Sequence, residues 1–192
     1  KTAYEIPKRD WSSDVCSSDL GLGFGERVLV PAFRADSRCD VVGICSNHPD
    51  RAQAAAARLG VARAYGRWQE AIDDPSVDAV AVATPPALHF DVAAAALRSR
   101  RHVFCEKPLT ATLETAAALR DLAVASKLAN VIDFEFPEIP EWVRAKQMID
   151  AGDLGRVQSV VVSWHTETFA NRTGQDTWKR RWADRKSTRL NS

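Results

Sequence analysis

Glu106-Lys107-Pro108 directly follows a short apolar run, His102-Val103-Phe104-Cys105, and precedes a stretch with helical spacing. Such a run predicts a buried strand, which places a lysine at the strand's carboxyl end. Open α/β sheets bind their ligands outside those ends. There an ammonium can donate to a hydroxyl or carbonyl oxygen and relay a proton, if its surroundings hold its pKa near the working range. Glu106 is placed to orient the lysine, and Pro108 restricts the turn. A solvated lysine beyond a strand end is the plain alternative, and the triplet taken alone would favour it.

A second group of residues has the types needed to hold a phosphate. Gly21-Leu22-Gly23-Phe24-Gly25 leads into a helix-like stretch. Glycines allow a tight turn and close approach of backbone to a pyrophosphate, and a helix N-terminus favours negative charge. Glu26 stands where the usual G-x-G-x-x-G pattern has its last glycine, so Gly25 is read as supplying the close contact. Further on, Ser46-Asn47-His48 ends an apolar run, with Arg51 close behind. An NAD site commonly has a carboxylate there for the ribose 2′-hydroxyl. Small polar side chains and an arginine suit a 2′-phosphate instead, so NADP is favoured over NAD, while Asp50 keeps NAD open. A helix cap at Asn47 or His48 and a solvated Arg51 would explain the same residues without a ligand. The Cys39, Cys45 and Cys105 spacing fits no metal motif, and no metal site is expected.

The elements that must position these residues alternate strand and helix. Residues 41–45, 79–83, 102–105 and 131–134 read as strands. Residues 26–34, 49–59, 68–72, 88–99 and 113–125 read as helices, with Pro49 suited to a first helical turn and Gly60 to a stop. That alternation implies a parallel, doubly wound α/β sheet of Rossmann type. The strand that should precede Gly21 is missing from this reading, which predicts a sheet with an unfilled place and an exposed seam prone to instability or association. After Phe136 the pattern changes. Pro137 and Pro140 punctuate a linker, residues 142–151 read as helix, and residues 157–164 alternate like a half-buried strand. The expected organisation is a nucleotide-binding domain over residues 21–135 and the truncated start of an α+β substrate domain over 136–184.

With the strands in register, Glu106-Lys107-Pro108 resembles the Glu-Lys-Pro signature of the Gfo/Idh/MocA oxidoreductases. Thr84-Pro85-Pro86 with His89 resembles that family's Thr-Pro…His segment, and Ile-Asp-Ala-Gly-Asp-Leu-Gly over residues 149–155 resembles its junction into the substrate domain. The resemblance covers residues 21 to about 182. It implies that Lys107 lies between nicotinamide and substrate as the catalytic group. It also implies that Gly21, Gly23, Phe24, Gly25, Ser46, Asn47, Arg51, Thr84, Pro85, His89 and Glu106 line the cofactor. The bland reading of His89 is a helix-surface residue. Phe134-Glu135-Phe136-Pro137 departs from the family's more usual Asn-x-Arg segment, and the downstream Asp and His residues of the family active site have no counterpart here. His165 lies too early for that role, and Trp178 and Arg181 are weaker candidates for the substrate pocket.

Both ends of the chain carry a different signal. Residues 10–20 and 184–192 back-translate to opposite strands of one sequencing-library adapter, so residues 1–20 and 185–192 are expected to be translated adapter rather than natural protein. Across the whole chain, 26 basic and 25 acidic residues give a net charge of +1, which offers no field for nucleic acid. No stretch approaches a membrane span. Cysteines in apolar runs suit a reducing, cytoplasmic setting, although a signal peptide is not excluded by a chain whose natural start is absent. The expected partners are a small-molecule substrate and, in the full-length parent, copies of itself. Two functions compete. One is an NAD(P)-dependent oxidoreductase of a sugar, cyclitol or related polyol, inactive in this fragment. The other is a non-catalytic nucleotide-binding regulator on the same fold. A dehydratase or hydrolase with tightly held cofactor is a third.

Overall fold

The structure is a computed structural model, and it describes the backbone of residues 13–18 and all of residues 24–163. Two compact units divide the chain, Lys1–Ile132 and Asp133–Ser192. The expected domain break after residue 135 lies three residues beyond that division.

The first unit is built on a six-stranded sheet. Its strands are β1 (Ser13–Ser18), β2 (Cys39–Cys45), β3 (Arg63–Tyr65), β4 (Ala79–Val82), β5 (His102–Glu106) and β6 (Asn130–Asp133), in spatial order β3-β2-β1-β4-β5-β6. Strand β1 runs parallel to both β2 and β4, and the β2–β3 and β4–β5 pairs are parallel as well. This order reverses direction at β1 and β4, the switch point where doubly wound sheets open a ligand crevice.

The expectation of a sheet lacking its first strand is corrected here. Ser13–Ser18 fills the central place, pairing from Ser13 with Cys39 to Ser18 with Cys45 on one side and from Val15 with Ala79 to Ser18 with Val82 on the other. Ladder hydrogen bonds use only backbone groups, so a polar segment can occupy a slot that side-chain patterning would not assign to it. With that place filled, the predicted open seam is absent from the centre of the sheet.

Helices cover both faces. A π-helical turn at Gly25–Leu29 runs into α1 (Val30–Arg34), and α2 (Pro49–Leu59) follows β2. These pack on one face, where Val30, Val41, Ile44, Ala55, Ala56 and Val61 form a core. The other face receives α3 (Trp68–Asp73), α4 (Pro86–Arg98) and α5 (Leu113–Ser126). Its larger core joins Val80, Val82 and Val103 of the sheet to Val92, Ala93, Ala96 and Leu97 of α4 and to Leu119 of α5. Small alanines along α4 let that helix sit close to the strands, and the apolar runs read from the sequence are the buried strands β2, β4 and β5.

Local chemistry sets the ends of these elements. Gly60 ends α2 at φ +62°, the left-handed position that a glycine adopts without penalty. Thr112 caps α5, its hydroxyl oxygen accepting from the Thr115 N–H at 3.3 Å. Gly43 has a packing role instead. A Cβ there would meet the Tyr65 ring, with two further ring atoms at 3.2 and 3.3 Å. The three-residue β3 was not legible as a strand, being too short to show a period.

The second unit begins with a 3-10 turn at Phe136–Glu138 and α6 (Pro140–Asp150). Of residues 157–164, expected to be a half-buried strand, 157–163 are irregular and exposed, with Val161 at 88%, and 164 lies outside the described residues. Alternation alone makes no strand. A ladder partner is required, and none pairs with this segment among the described residues. No helix among the described residues is long and apolar enough to cross a membrane.

Candidate functional site

The buried polar side chains of the described residues gather at one edge of the sheet. They are Ser46, Thr84, His89, Glu106 and Thr110. Ser46 follows β2, Thr84 follows β4, His89 lies in the first turn of α4, and Glu106 and Thr110 flank the turn leaving β5. Burying polar groups is costly without partners, so their concentration at the carboxyl ends of the strands makes that edge the candidate site.

The turn after β5 holds the lysine. Lys107 is half-buried, and its peptide bond to Pro108 is cis. The Lys107 backbone N–H donates to Glu106 Oε2 at 3.1 Å. Glu106 therefore folds back over its own turn and is 4% exposed. Beneath it the Cys105 thiol faces the Glu106 carbonyl at 3.5 Å. Farther along, Thr110 Oγ1 donates to the Thr112 carbonyl at 2.8 Å, joining the turn to the cap of α5.

The turn after β4 is tied to the same structure. Thr84 is 4% exposed, and its Oγ1 is buried without a hydrogen-bond partner among the described residues. Its carbonyl lies 2.7 Å from His89 Nε2, while His89 Nδ1 lies 2.7 Å from the Pro108 carbonyl. His89 is fully enclosed. The bland reading of His89 as a helix-surface residue is corrected, since the ring is enclosed. Both ring nitrogens are committed to main-chain carbonyls, so its place is under the two turns. Pro85 precedes α4 as its cap residue with φ −57° and is half-buried.

At the glycine turn, Phe24 is 41% exposed and Gly25 is buried. The Val30 N–H reaches the Gly25 carbonyl, which gives the helix its π start, a local widening common at functional sites. Gly21 and Gly23 lie outside the described residues. Glu26, the departure from the glycine pattern, accepts from Arg58 Nε at 2.7 Å and so ties this turn to α2. At the end of β2, Ser46 is buried and its Oγ accepts the His48 N–H at 3.2 Å, while Asn47 and Arg51 are exposed. His165, Trp178 and Arg181 lie outside the described residues.

Two carboxylates strongly held in their charged form lie elsewhere. Asp74, between α3 and β4, is pulled down to about 2, first by the Ser76 hydroxyl and N–H, then by the Tyr65 hydroxyl at 2.8 Å, with Arg63 adding to it. Asp36, before β2, is lowered to about 2 by Arg38. An apolar cleft of about 330 Å³ near Leu29, Phe33 and Phe104 reaches Ala79, at the amino end of β4. Among the described residues, it is the buried hydrogen-bonding groups that single out the polar edge. Among the described residues, no cluster of His, Cys, Asp and Glu is arranged to hold a metal.

The sequence reading named His89 but not the direction of its ring, and it missed the supporting places of Thr110 and Cys105. Thr110 and Cys105 support the lysine turn, and His89 holds it from below. A histidine three residues after Pro86 carried a signal, but its direction depended on how α4 packs.

Comparison with known proteins gives the same edge a family context. The Gfo/Idh/MocA profile, described as an oxidoreductase family with an NAD-binding Rossmann fold, matches residues 20–134. The D-xylose 1-dehydrogenase (NADP(+)) 2 of Haloferax volcanii is 36% identical over 138 residues, 72% of this chain and 42% of that protein. The levoglucosan dehydrogenase of Pseudarthrobacter phenanthrenivorans is 31% identical over 136 residues, 71% of this chain and 35% of that one. A crystal structure of a 3-ketoreductase from Actinomadura kijaniata with NADP superposes with a TM-score of 0.68 at 29% identity, covering 74% of this chain and 45% of that one. The chain thus spans less than half the length of these relatives. With the strand order, the lysine turn and the profile in agreement, the chain belongs to the Gfo/Idh/MocA family of NAD-binding Rossmann oxidoreductases.

Proposed function

We propose that the protein to which this chain belongs is an NAD(P)-dependent oxidoreductase of a sugar, cyclitol or related polyol, with Lys107 moving the proton at the substrate oxygen. The observation that carries this reading is a half-buried lysine at the carboxyl end of β5, on a turn fixed by Glu106, Cys105 and His89. A turn whose main chain is fixed in this way sets where the lysine side chain starts, and a set register to a bound reactant is the condition for efficient proton transfer. The sugar substrates named for the relatives support the polyol class.

The residues present fit a nicotinamide nucleotide. The buried Thr84 hydroxyl at the end of β4 has no partner among the described residues, and a ligand amide or hydroxyl would satisfy it. Gly25 and the π start of the first helix offer main-chain groups, following Gly21 and Gly23, for the pyrophosphate. Exposed Asn47 and Arg51, with no carboxylate ending β2, favour the 2′-phosphate of NADP; Asp50 remains the feature that would suit NAD. Bound nicotinamide would supply the hydride acceptor or donor. Lys107 would donate to, or take a proton from, the carbon-bound oxygen, and Glu106 would keep the turn in place. The 192-residue chain alone is expected to give no significant turnover.

The test uses the full-length protein against a panel of polyols and aldoses with NADP and with NAD. Net formation of reduced cofactor, lost on Lys107→Ala while cofactor affinity is kept, supports the proposal. Tight cofactor binding with no turnover on any substrate would favour the regulator. Product formation without net reduced cofactor would favour a dehydratase or hydrolase.

A further inference from the structure

The contacts of His89 pose a question of proton count. Nδ1 and Nε2 each lie 2.7 Å from a carbonyl oxygen, those of Pro108 and Thr84. A carbonyl oxygen only accepts, and a neutral imidazole carries a single N–H. In either neutral tautomer one ring nitrogen would turn its lone pair toward an oxygen lone pair at hydrogen-bonding distance. An imidazolium donates at both nitrogens and removes that conflict.

We propose that His89 is held as an imidazolium at neutral pH and acts as a positioning residue, tying the turn after β4 to the Lys107–Pro108 turn by two charge-assisted donations. Burial opposes a charge, and His89 is fully buried. Two short bonds to carbonyl dipoles favour the charged form in return. The titratable side chains on the adjoining turn are Cys105 and Glu106 of β5 and Lys107 itself; β4 contributes none. Those of α3 and α5 (Glu70, Asp73, Glu114, Arg120 and Asp121) are exposed. Glu106 is the one buried carboxylate on that turn and is suited to balance the charge.

The consequence concerns register. Pro108 is the residue after the lysine, so a donor fixed on its carbonyl holds Lys107 at a set height above β4. This positioning role rests on the reading of Lys107 given above, whereas the charge state of the ring does not. A glutamine at position 89 can donate only from its amide nitrogen and would leave its own oxygen facing a carbonyl.

The full chain has four histidines, few enough for histidine-selective 15N labelling. His89 is identified by comparison with single His48→Gln, His102→Gln and His165→Gln variants. The expected result is one ring with both nitrogens protonated and two N–H protons at neutral pH. A His89 ring with one unprotonated nitrogen would overturn the proposal. In the full-length protein, His89→Gln is expected to lower kcat by roughly 10²-fold, the size of effect a misplaced reacting group produces, with cofactor affinity little changed. An unchanged kcat in that variant, while Lys107→Ala is inactive, would overturn the positioning role. Full activity of Lys107→Ala would overturn the proposed function and leave the charge of the ring as measured.

Discussion

The two edges of the central sheet are built from different materials. At the carboxyl ends of β2, β4 and β5 lie the buried Ser46, Thr84, Glu106 and Thr110, with His89 beneath them. At the amino ends, polar groups stay near water. Asp36 and Arg38 pair before β2, and Arg101, before β5, donates to the Ile72 and Asp74 carbonyls at 3.0 and 3.1 Å, closing the end of α3. The first edge accepts desolvation of groups that do not all find partners, and the second meets its polar needs locally. A fold gains no stability from an unsatisfied buried hydroxyl, which accords with the cofactor site proposed for the first edge.

That contrast can be broken experimentally. Lys107→Ala in the full-length protein should reduce kcat by roughly 10²–10⁴-fold, the range for a proton-transfer group, with little change in thermal stability. Steady-state kinetics beside a melting curve separates the two. A large loss of stability would mean that the lysine edge is structural, like its opposite.

Gly43→Ala tests the scaffold between the edges. The added Cβ must displace the Tyr65 ring, and overpacking of this kind costs roughly 1–3 kcal/mol. Denaturant unfolding should show it, and a neutral result would mean that Tyr65 moves aside freely.

Thr84→Val sharpens the comparison most directly. It removes an unpartnered buried hydroxyl at nearly constant shape, so stability should rise by about 1 kcal/mol while cofactor binding weakens, a trade expected of a site. Lower stability together with unchanged binding would show that the hydroxyl serves the fold.

The smallest effect should come from acid. Asp74 has its folded-state pKa lowered to about 2 from the ordinary aspartate value of 3.8. Its contribution is present above the unfolded value and is lost as pH falls through the folded one. Stability should therefore decline between about pH 4 and pH 2, and Asp74→Asn should flatten that part of the profile. An identical acid limb in the variant would assign the decline to other carboxylates.

How far the residues spoke for themselves can be judged element by element. The strand ending at Glu106 was legible because both faces of β5 are covered over most of its length and its sequence is correspondingly apolar. Helix α2 was read to its last residue, since Pro49 and Gly60 mark its ends. The central strand was not legible, because Ser13–Ser18 is placed by backbone pairing with two neighbours. The strand expected at 157–164 failed over its described residues, 157–163, for the converse reason: they have the pattern and lack a paired neighbour among the described residues.

By itself, the sequence determined the alternation of strand and helix, the parallel sheet that follows, and the position of Lys107 at a strand end. These are local properties, set by hydrophobic period, by turn-forming residues and by chain order. Tertiary structure alone decided that Ser13–Ser18 lies between β2 and β4, that Glu106 folds over its own turn, and that His89 reaches two carbonyls nineteen and five residues away. Those outcomes depend on which buried groups meet across the packed sheet, and no spacing along the chain encodes a meeting of that kind.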